Sequence, residues 1–501
     1  MKKILINNNP WQTRIATTKD EDLQNIYFSA HAVLKLERAF FKGVITKVLP
    51  GIQTAFVEIG QDRAGFLHIS EIDREMAIER FSKSIQMDED ERPSSFSSHS
   101  ERDISKILKE GDPILVQVSK EPVYEKGAKL TTCFTLPGRF AVLMPNIPRI
   151  GVSKKIEDRE ERNRLKDIVK SHLPEGMGAI IRTTSEGRQS EEIIKDLNFL
   201  IRTWNDIQEL FRNAEPKAKL HEDLDLTLQV VRDHLDDDVE LVIADTKQDQ
   251  NAIYKFVKSI APEYMYKVRL YEGATPLFEH FGIEKQIEES LDKKVRLKSG
   301  GSLIIESTEA MTVIDVNTGK FIGRANQEDT IFKTNMEAAE EIARQLRLRN
   351  IGGLIVIDFI DMATSANRQR LFKFFEKTLK EQDKFQSVVL KVSEFGLVQM
   401  TRKRSGKTLV QELTDDCPSC HGTGFTKSLQ TDCYATMRKL KEFIQTEAPQ
   451  QITATLNSEV FHYIANVEYN SVLSLEKEFN CKITLVDNKN LSTAQYKFEK
   501  K

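Results

Sequence analysis

The chain has 501 residues, 40 % of them apolar and 30 % charged, with 73 Lys and Arg against 76 Asp and Glu for a net charge of −3. That is length for roughly three domains, and the balanced charge excludes a protein that holds nucleic acid by bulk charge alone, though not one with local basic grooves. Five cysteines exclude a disulfide scaffold and suggest a reducing compartment, no apolar run reaches the roughly 18 residues of a membrane span, and the apolar start stops at Asn7-Asn8-Asn9, against an export signal, so a cytoplasmic protein is expected.

Residues 3–7, 13–18 and 23–29 alternate apolar and polar and read as three short strands. From Phe41 the strand density rises, at 42–49, 54–59 and 65–68, and a second group follows at 113–120 and 128–134. Short, evenly spaced strands with glycine turns predict a small barrel. Between the two groups, 80–106 contains Asp88-Glu89-Asp90-Glu91 and, at 94–100, five serines in seven residues. That composition predicts a solvated, mobile insertion.

After Gly151 come a charged helix (157–172), a strand (178–183), a helix (191–212) and strands at 226–231, 241–244 and 267–271. A clearer alternation then runs through strand 311–316, helix 329–349, strand 354–358, helix 368–382 and strand 387–392. It argues for helices layered on a largely parallel sheet. Residues 426–501 read as a separate small α/β unit, and no internal repeat is visible.

In Ile314-Asp315-Val316-Asn317 the period of two puts Asp315 and Asn317 on one face of a strand. Leu354-Ile355-Val356-Ile357 is a buried-strand run that ends abruptly in Asp358, with Asp361 shortly after. One right-handed crossover joins the two strands. If they are neighbours, Asp315 and Asp358 emerge side by side at the carboxyl end of the sheet, where open α/β sheets place their sites. Two carboxylates that close repel unless a cation neutralises them, and Mg²⁺ suits one or two carboxylates plus waters and phosphate. Asn317 is positioned to orient one carboxylate or bind substrate. The plainer alternative is a pair of loop caps or salt-bridge partners.

Cys417-Pro418-Ser419-Cys420-His421-Gly422 is a metal-knuckle turn that offers two thiolates to a tetrahedral Zn²⁺. The chain has no second such pair, because Cys133, Cys433 and Cys481 stand alone. A two-fold partner supplies an identical pair, His421 joins in, or no metal binds. A redox pair would have to open a helix after a strand, and the Gly-Thr-Gly that follows fits a metal turn better.

Phe56 and Phe66, with Lys42, Lys47, Arg63 and His68 nearby, could stack bases and track a single strand on one barrel face, or the two rings could be core. Arg182-Thr183-Thr184 ends a strand and is followed by Ser185, Gly187 and Arg188, donors able to hold a phosphate. Arg402-Lys403-Arg404 and Lys407 form a basic segment before the cysteines.

Three segments, TVIDVNTG (312–319), NMEAAEEIARQLRLRNIGGLIVIDFIDM (335–362) and CPSCHGTG (417–424), resemble the ribonuclease E/G family, and the likeness extends along nearly the whole chain. The resemblance implies a multidomain α/β protein: a ribonuclease-H-like fold carrying the catalytic site, an inserted OB-type RNA-binding barrel, a zinc-link turn and a small C-terminal α/β domain. The implied boundaries are 1–38 and 137–220 for the ribonuclease-H-like region with a 5′-phosphate sensor, 39–136 for the barrel, 221–400 for the catalytic domain, 401–425 for the zinc link and 426–501 for the last domain. Asp315 and Asp358 would hold Mg²⁺, with Asn317 positioning one of them. Arg182 and Thr183, helped by Gly138 and Val142, would grip the 5′-phosphate. Phe56, Phe66 and Lys126 would face single-stranded RNA. Cys417 and Cys420 would supply half of a zinc site shared in a homodimer or homotetramer. Two features depart from the pattern: the insertion at 80–106 is long, and an arginine that braces the family's sensor falls near Gln386. The long Pro- and Arg-rich tail by which some members recruit other decay enzymes is not expected here.

The function expected is therefore a Mg²⁺-dependent endoribonuclease that cuts single-stranded RNA, leaves 5′-phosphate and 3′-hydroxyl ends, favours 5′-monophosphorylated substrates and serves ribosomal RNA maturation and messenger decay. The rivals are a non-catalytic RNA-binding protein and a DNA nuclease, which would recruit Glu306 or Asp361 as a further carboxylate.

Overall fold

Period-two alternation with small residues inside closes the strands near the N-terminus into a barrel. The computed structural model describes residues 1–31, 36–72, 103–122, 127–153, 155–318, 327–393, 395–404, 406–420 and 422–500. Lys126, His421 and most of the 80–106 segment lie outside the described residues. Strands Phe40–Leu49, Thr54–Glu58, Gly65–His68, Lys129–Thr131 and Pro113–Lys120 pair in that order, and the last returns to the first to close the ring. Ala55, Val57, Leu67, Val116 and Leu130 fill its interior. Gly43 and Gly65 make room for them, since a Cβ on either would come within 2.4 Å of Val57 and 2.6 Å of Leu130.

A five-stranded sheet flanks it, in the order Val268–Leu270, Val239–Ala244, Lys2–Asn9, Gln12–Lys19, Asp22–Ala30. Its first three strands are parallel and the last three antiparallel. The strand expected at 226–231 is instead the helix Leu226–His234. Its L-T-L-Q-V-V pattern alternates, but Thr227, Val230 and Val231 are buried together with Arg232, a helical spacing, and Asp225 caps the start by accepting the Leu228 N–H at 2.8 Å. A four-stranded sheet containing Ala141–Met144 and Gly178–Ile181 packs on the helices Arg159–His172 and Ser190–Asn213.

The 294–402 region forms a six-stranded sheet in the order Lys294–Arg296, Ser302–Ser307, Met311–Asn317, Gly353–Asp358, Leu397–Arg402, Ser387–Val389. Only Met311–Asn317 against Gly353–Asp358 is parallel; the other four pairings are antiparallel. The expected largely parallel sheet is thus corrected. A tight turn at Leu297–Gly301, where the Leu297 N–H donates to Gly301 O at 2.9 Å, and the Gly396 N–H to Ser393 O bond at 3.2 Å close hairpins on each side of the one crossover. One face packs on helices Gln327–Leu348 and Ser365–Gln382 through Ala338, Ala339, Ile342, Leu371 and Phe375.

The chain divides into two units, Met1–Val410 and Gln411–Lys501. The second has strands Lys482–Asp487, Gln451–Leu456 and Tyr496–Lys500 in that order, and its core includes Cys433 and Cys481, so those thiols are structural. No helix among the described residues is long and apolar enough to cross a membrane.

Candidate active site and RNA-contact surfaces

Asp315 and Asp358 stand opposite each other across the one parallel strand pair of the six-stranded sheet. Ile314, Val316 and Ile357 alternate with them into the core, so both carboxylates face away from the helices. Asn317, on the same face, donates Nδ2–H to Asp315 Oδ2 at 2.7 Å. Burial, then the Asp315 charge, then Asp361 raise the Asp358 carboxyl above its ordinary value. Asp361 is therefore the third carboxylate of this neighbourhood. Glu306 lies opposite Val313 and pairs with Lys293 at 2.9 Å. The pair lies on the six-stranded sheet, not on the sheet of the N-terminal strands.

A residue missed by sequence reading fixes the loop after Asp358. Asn335, fully buried in helix Gln327–Leu348, donates Nδ2–H to Ile360 O at 2.8 Å and accepts the Ile360 N–H at 3.1 Å. Both polar groups of the buried amide are satisfied by the backbone of Ile360. An amide set in the apolar stripe of a long helix is the signal that could have revealed it.

On the barrel, Lys47 is opposite Phe56, Phe56 opposite Phe66, and Phe66 opposite Lys129. The rings are half-buried and outward, because the intervening Ala55, Val57 and Leu67 take the inside. Two aromatic rings flanked by two lysines form one stripe, so the core alternative fails for both. Lys129 is steadied by Glu71 at 2.7 Å. Lys42 is not part of the stripe: its ammonium donates to Ala214 O at 2.7 Å and lies over the Phe211 ring.

Arg182 Nη1 donates to Gly138 O at 2.6 Å and pairs with Asp233 at 2.9 Å. Thr183 is exposed beside it. The 138–141 turn closes through the Gly138 N–H to Ala141 O bond at 2.8 Å, and Val142 continues it as a strand. The N–H groups of Arg139, Phe140 and Ala141 converge on the Asp196 carboxylate at 3.1, 2.9 and 3.2 Å. A Cβ at Gly138 would sit 2.5 Å from that carboxylate, so only glycine fits there. Asp233 also accepts from Arg232 Nε at 3.0 Å, and these guanidinium groups hold its carboxyl well below the usual range against its burial. Lys384 brings a further cation to this cluster. It donates to His234 Nε2 at 2.9 Å, and its charge acts on Asp233 and Arg182. Although the side chain as a whole is exposed, desolvation of its ammonium beside Arg182 and Arg232 brings it down to about 8, against the pull of Asp233.

In the second unit, Cys417 is exposed and Cys420 partly so. The backbone N–H groups of Cys420 and then Ser419 point at the Cys417 sulfur and lower its pKa, as a turn built for a thiolate requires. Gly422 and Gly424 take φ of +84° and +78°, which a side chain would strain. The pair opens no helix, since the next one begins at Leu429. Among the described residues no three His, Cys, Asp or Glu side chains form a metal-binding group; of this turn the described residues contribute the two sulfurs, and His421 lies outside them. Of the basic segment before it, Arg402 is buried, whereas Lys403, Arg404 and Lys407 are exposed.

Comparison with known proteins agrees with this geometry. The Ribonuclease E/G family model matches residues 135–405, an S1 RNA binding domain model matches 37–132, and a model named RNase E/G, Thioredoxin-like domain matches 416–501. Ribonuclease G of Haemophilus influenzae is 40 % identical over 471 residues, 94 % of this chain and 93 % of that protein. Ribonuclease G of Escherichia coli K12 is 38 % identical over 475 residues, 93 % and 94 % of the two chains. Ribonuclease E of Escherichia coli K12 is 34 % identical over 501 residues, but the match spans 46 % of that protein. The barrel is thus an S1 RNA-binding domain, which implies an RNA partner. The chain belongs to the ribonuclease E/G family and is an endoribonuclease rather than a non-catalytic RNA-binding protein.

Proposed function

We propose that the protein cuts single-stranded RNA internally at Asp315 and Asp358 with Mg²⁺, leaves 5′-phosphate and 3′-hydroxyl ends, favours 5′-monophosphorylated RNA and serves ribosomal RNA maturation and messenger decay in the cytoplasm. The observation that carries this reading is the register of the two carboxylates on adjacent parallel strands, with Asn317 bonded to one of them. Their mutual repulsion and oxygen-only donor set fit a hard divalent cation. When bound, such a cation offsets charge on the phosphoryl oxygens and lowers the pKa of attacking water. Asn317 keeps the Asp315 carboxylate turned toward the open face, and Asn335 holds the Asp358–Ile360 backbone in place. The Lys47, Phe56, Phe66, Lys129 stripe carries the strand by stacking and charge, and Lys126, outside the described residues, is assigned to RNA contact from the sequence alone. The strand order of the N-terminal sheet supports a ribonuclease-H-like reading of that sheet as a scaffold. The domain limits proposed are those drawn from the sequence, except that Val239–Ala244 and Val268–Leu270, which pair with the N-terminal strands, go with the ribonuclease-H-like region, and catalysis is placed in the sheet of 294–402. A panel of RNA and DNA oligonucleotides with end-group analysis tests the reading. Cleavage of DNA as fast as RNA, or 5′-hydroxyl products, would refute it.

Arg182 and Thr183 would read the 5′-phosphate beside Gly138 and Val142, with Lys384 as the second cation. Arg182→Ala is expected to erase the preference for 5′-monophosphate over 5′-hydroxyl RNA, and Lys384→Ala to cut it several-fold. The Lys384 ammonium is neutral above its pKa of about 8, so the preference should fall as pH rises through 8 and persist in Lys384→Arg. The groups facing it are Asp233, Arg182, Arg232, Lys155 and His234. A preference that is flat from pH 7 to 9 in the wild type would remove Lys384 from the site.

Cys417 and Cys420 would supply half of a Zn²⁺ site completed by a second copy, in a homodimer or homotetramer. Cys417→Ser, or zinc removal, should give smaller species in light scattering with the second unit still folded. A full-size oligomer without zinc would sink the shared site.

A further inference from the structure

The hairpin between strands Ser387–Val389 and Leu397–Arg402 ends in a turn pressed against the catalytic loop. The Ser393 N–H donates to Leu397 O at 2.9 Å, the Leu397 N–H to Ser393 Oγ at 3.1 Å, and the Gly396 N–H to Ser393 O at 3.2 Å. Gly396 has φ +75°, and a Cβ there would lie 2.5 Å from Phe359 O and 3.1 Å from Asp361 Oδ1. Its carbonyl accepts the Phe359 N–H at 3.4 Å, and the next residue, Leu397, is in register with Asp358. The backbone on both sides of Phe359 is therefore tied to this turn.

Phe395 sits one residue before that contact and is 79 % exposed, more than any other large apolar side chain among the described residues. A ring held in water on a hydrogen-bonded turn is not explained by packing, since the core on the other sheet face is complete without it. Its neighbours supply the chemistry: Gly396, the next residue, abuts Asp361 Oδ1, and Leu397 is in register with Asp358, so the turn adjoins two carboxylates of the cleavage neighbourhood. An aromatic face takes any nucleobase, as a single-strand substrate without a base code requires.

We propose that Phe395 is a stacking platform for a nucleobase next to the scissile phosphate, and so fixes the strand across Asp315 and Asp358. This rests on the reading of that pair as the cleavage site. The barrel stripe would grip the strand elsewhere, so Phe395 sets register at the cut.

The test is a cycle with two changes: Phe395→Ala in the full-length enzyme, and one abasic nucleotide scanned through three positions on each side of the cut in a 5′-monophosphorylated RNA. On intact RNA, Phe395→Ala should lower kcat/KM about tenfold, the size of one lost base–aromatic stack. One abasic position should cost the wild type a similar factor and cost the variant less than about twofold. Phe395→Trp should keep the wild-type pattern and Phe395→Leu should behave as alanine. Losses that multiply at every position overturn the inference, as does an unchanged kcat/KM in Phe395→Ala. A smaller oligomer of Phe395→Ala in light scattering, with activity restored at high protein concentration, would mean that a second chain covers the ring and also overturns it. Asp358→Asn is assayed beside them. If it still cleaves, the reading of the pair fails and takes this inference with it; if it is inactive while the cycle shows no coupling, only the inference falls.

Discussion

Asp315→Asn and Asp358→Asn each lower kcat by at least about 10²–10³, the usual loss when a group that stabilises transition-state charge is removed, while RNA affinity changes little. Binding survives because the barrel stripe and the Arg182 cluster are on other sheets of the unit. The substitution keeps shape and removes only the negative charge that repels its neighbour and attracts a cation. In the apoprotein it relieves repulsion, so both variants should be at least as stable as the wild type. Asn317→Ala, which leaves both carboxylates and loses one 2.7 Å bond, should cost less than either. Equal losses for all three would mean that the face acts as a scaffold. Activity is measured as multiple-turnover cleavage of a short RNA, and binding by fluorescence anisotropy in chelator.

The largest stability effect belongs to Asp383→Ala. Asp383 and Arg402 form a two-bond ion pair at 2.5 and 3.0 Å with side chains 1 % and 0 % exposed. Arg402 also donates to Ile351 O at 2.7 Å and stacks over Phe385. The pair ties the end of helix Ser365–Gln382 to the last residue of strand Leu397–Arg402, which sits beside the strand of Asp358. Removing one partner leaves a buried charge unanswered, at a cost of about 3–5 kcal/mol. The urea midpoint of the Met1–Val410 unit should fall accordingly, and the double variant Asp383→Leu, Arg402→Met should regain much of it, because an apolar pair carries no desolvation penalty. A single variant within about 1 kcal/mol of wild type would show that the charge finds water instead.

Sequence alone made the carboxylate pair legible, because alternation put Asp315 on a strand face and an apolar run ended at Asp358, and a single crossover between strands leaves few ways to arrange them. The sheet around the pair was misjudged. Strands Lys294–Arg296 and Ser302–Ser307 lie outside the clear alternation of helix and strand, and Leu397–Arg402 is tied in by a hairpin rather than a crossover. The Leu226–His234 helix was hidden because its alternation of leucine with polar residues mimics a strand. Arg402 looked like part of a solvated basic run, since nothing local says that Asp383, nineteen residues earlier, will meet it. Gln386 stands near where the family's bracing arginine falls, and that Lys384 brings a cation toward Arg182 depends on its contact with His234, far away in the sequence. Phe56 and Phe66 could not be assigned to the inside or outside of a strand until the barrel fixed which alternate residues were buried. In each case the missing information was a long-range contact.

The most direct measurement is single-turnover cleavage of a pre-bound 5′-monophosphorylated single-stranded RNA, started by adding Mg²⁺ to chelator-treated enzyme, with the Asp315→Asn, Asp358→Asn double variant beside it. The wild type should stay inert until Mg²⁺ arrives and then cut internally, and the double variant should hold the RNA uncut at every Mg²⁺ concentration. Cleavage by the wild type in chelator, or Mg²⁺-triggered cleavage by the double variant at a comparable rate, would contradict the assignment of the two carboxylates.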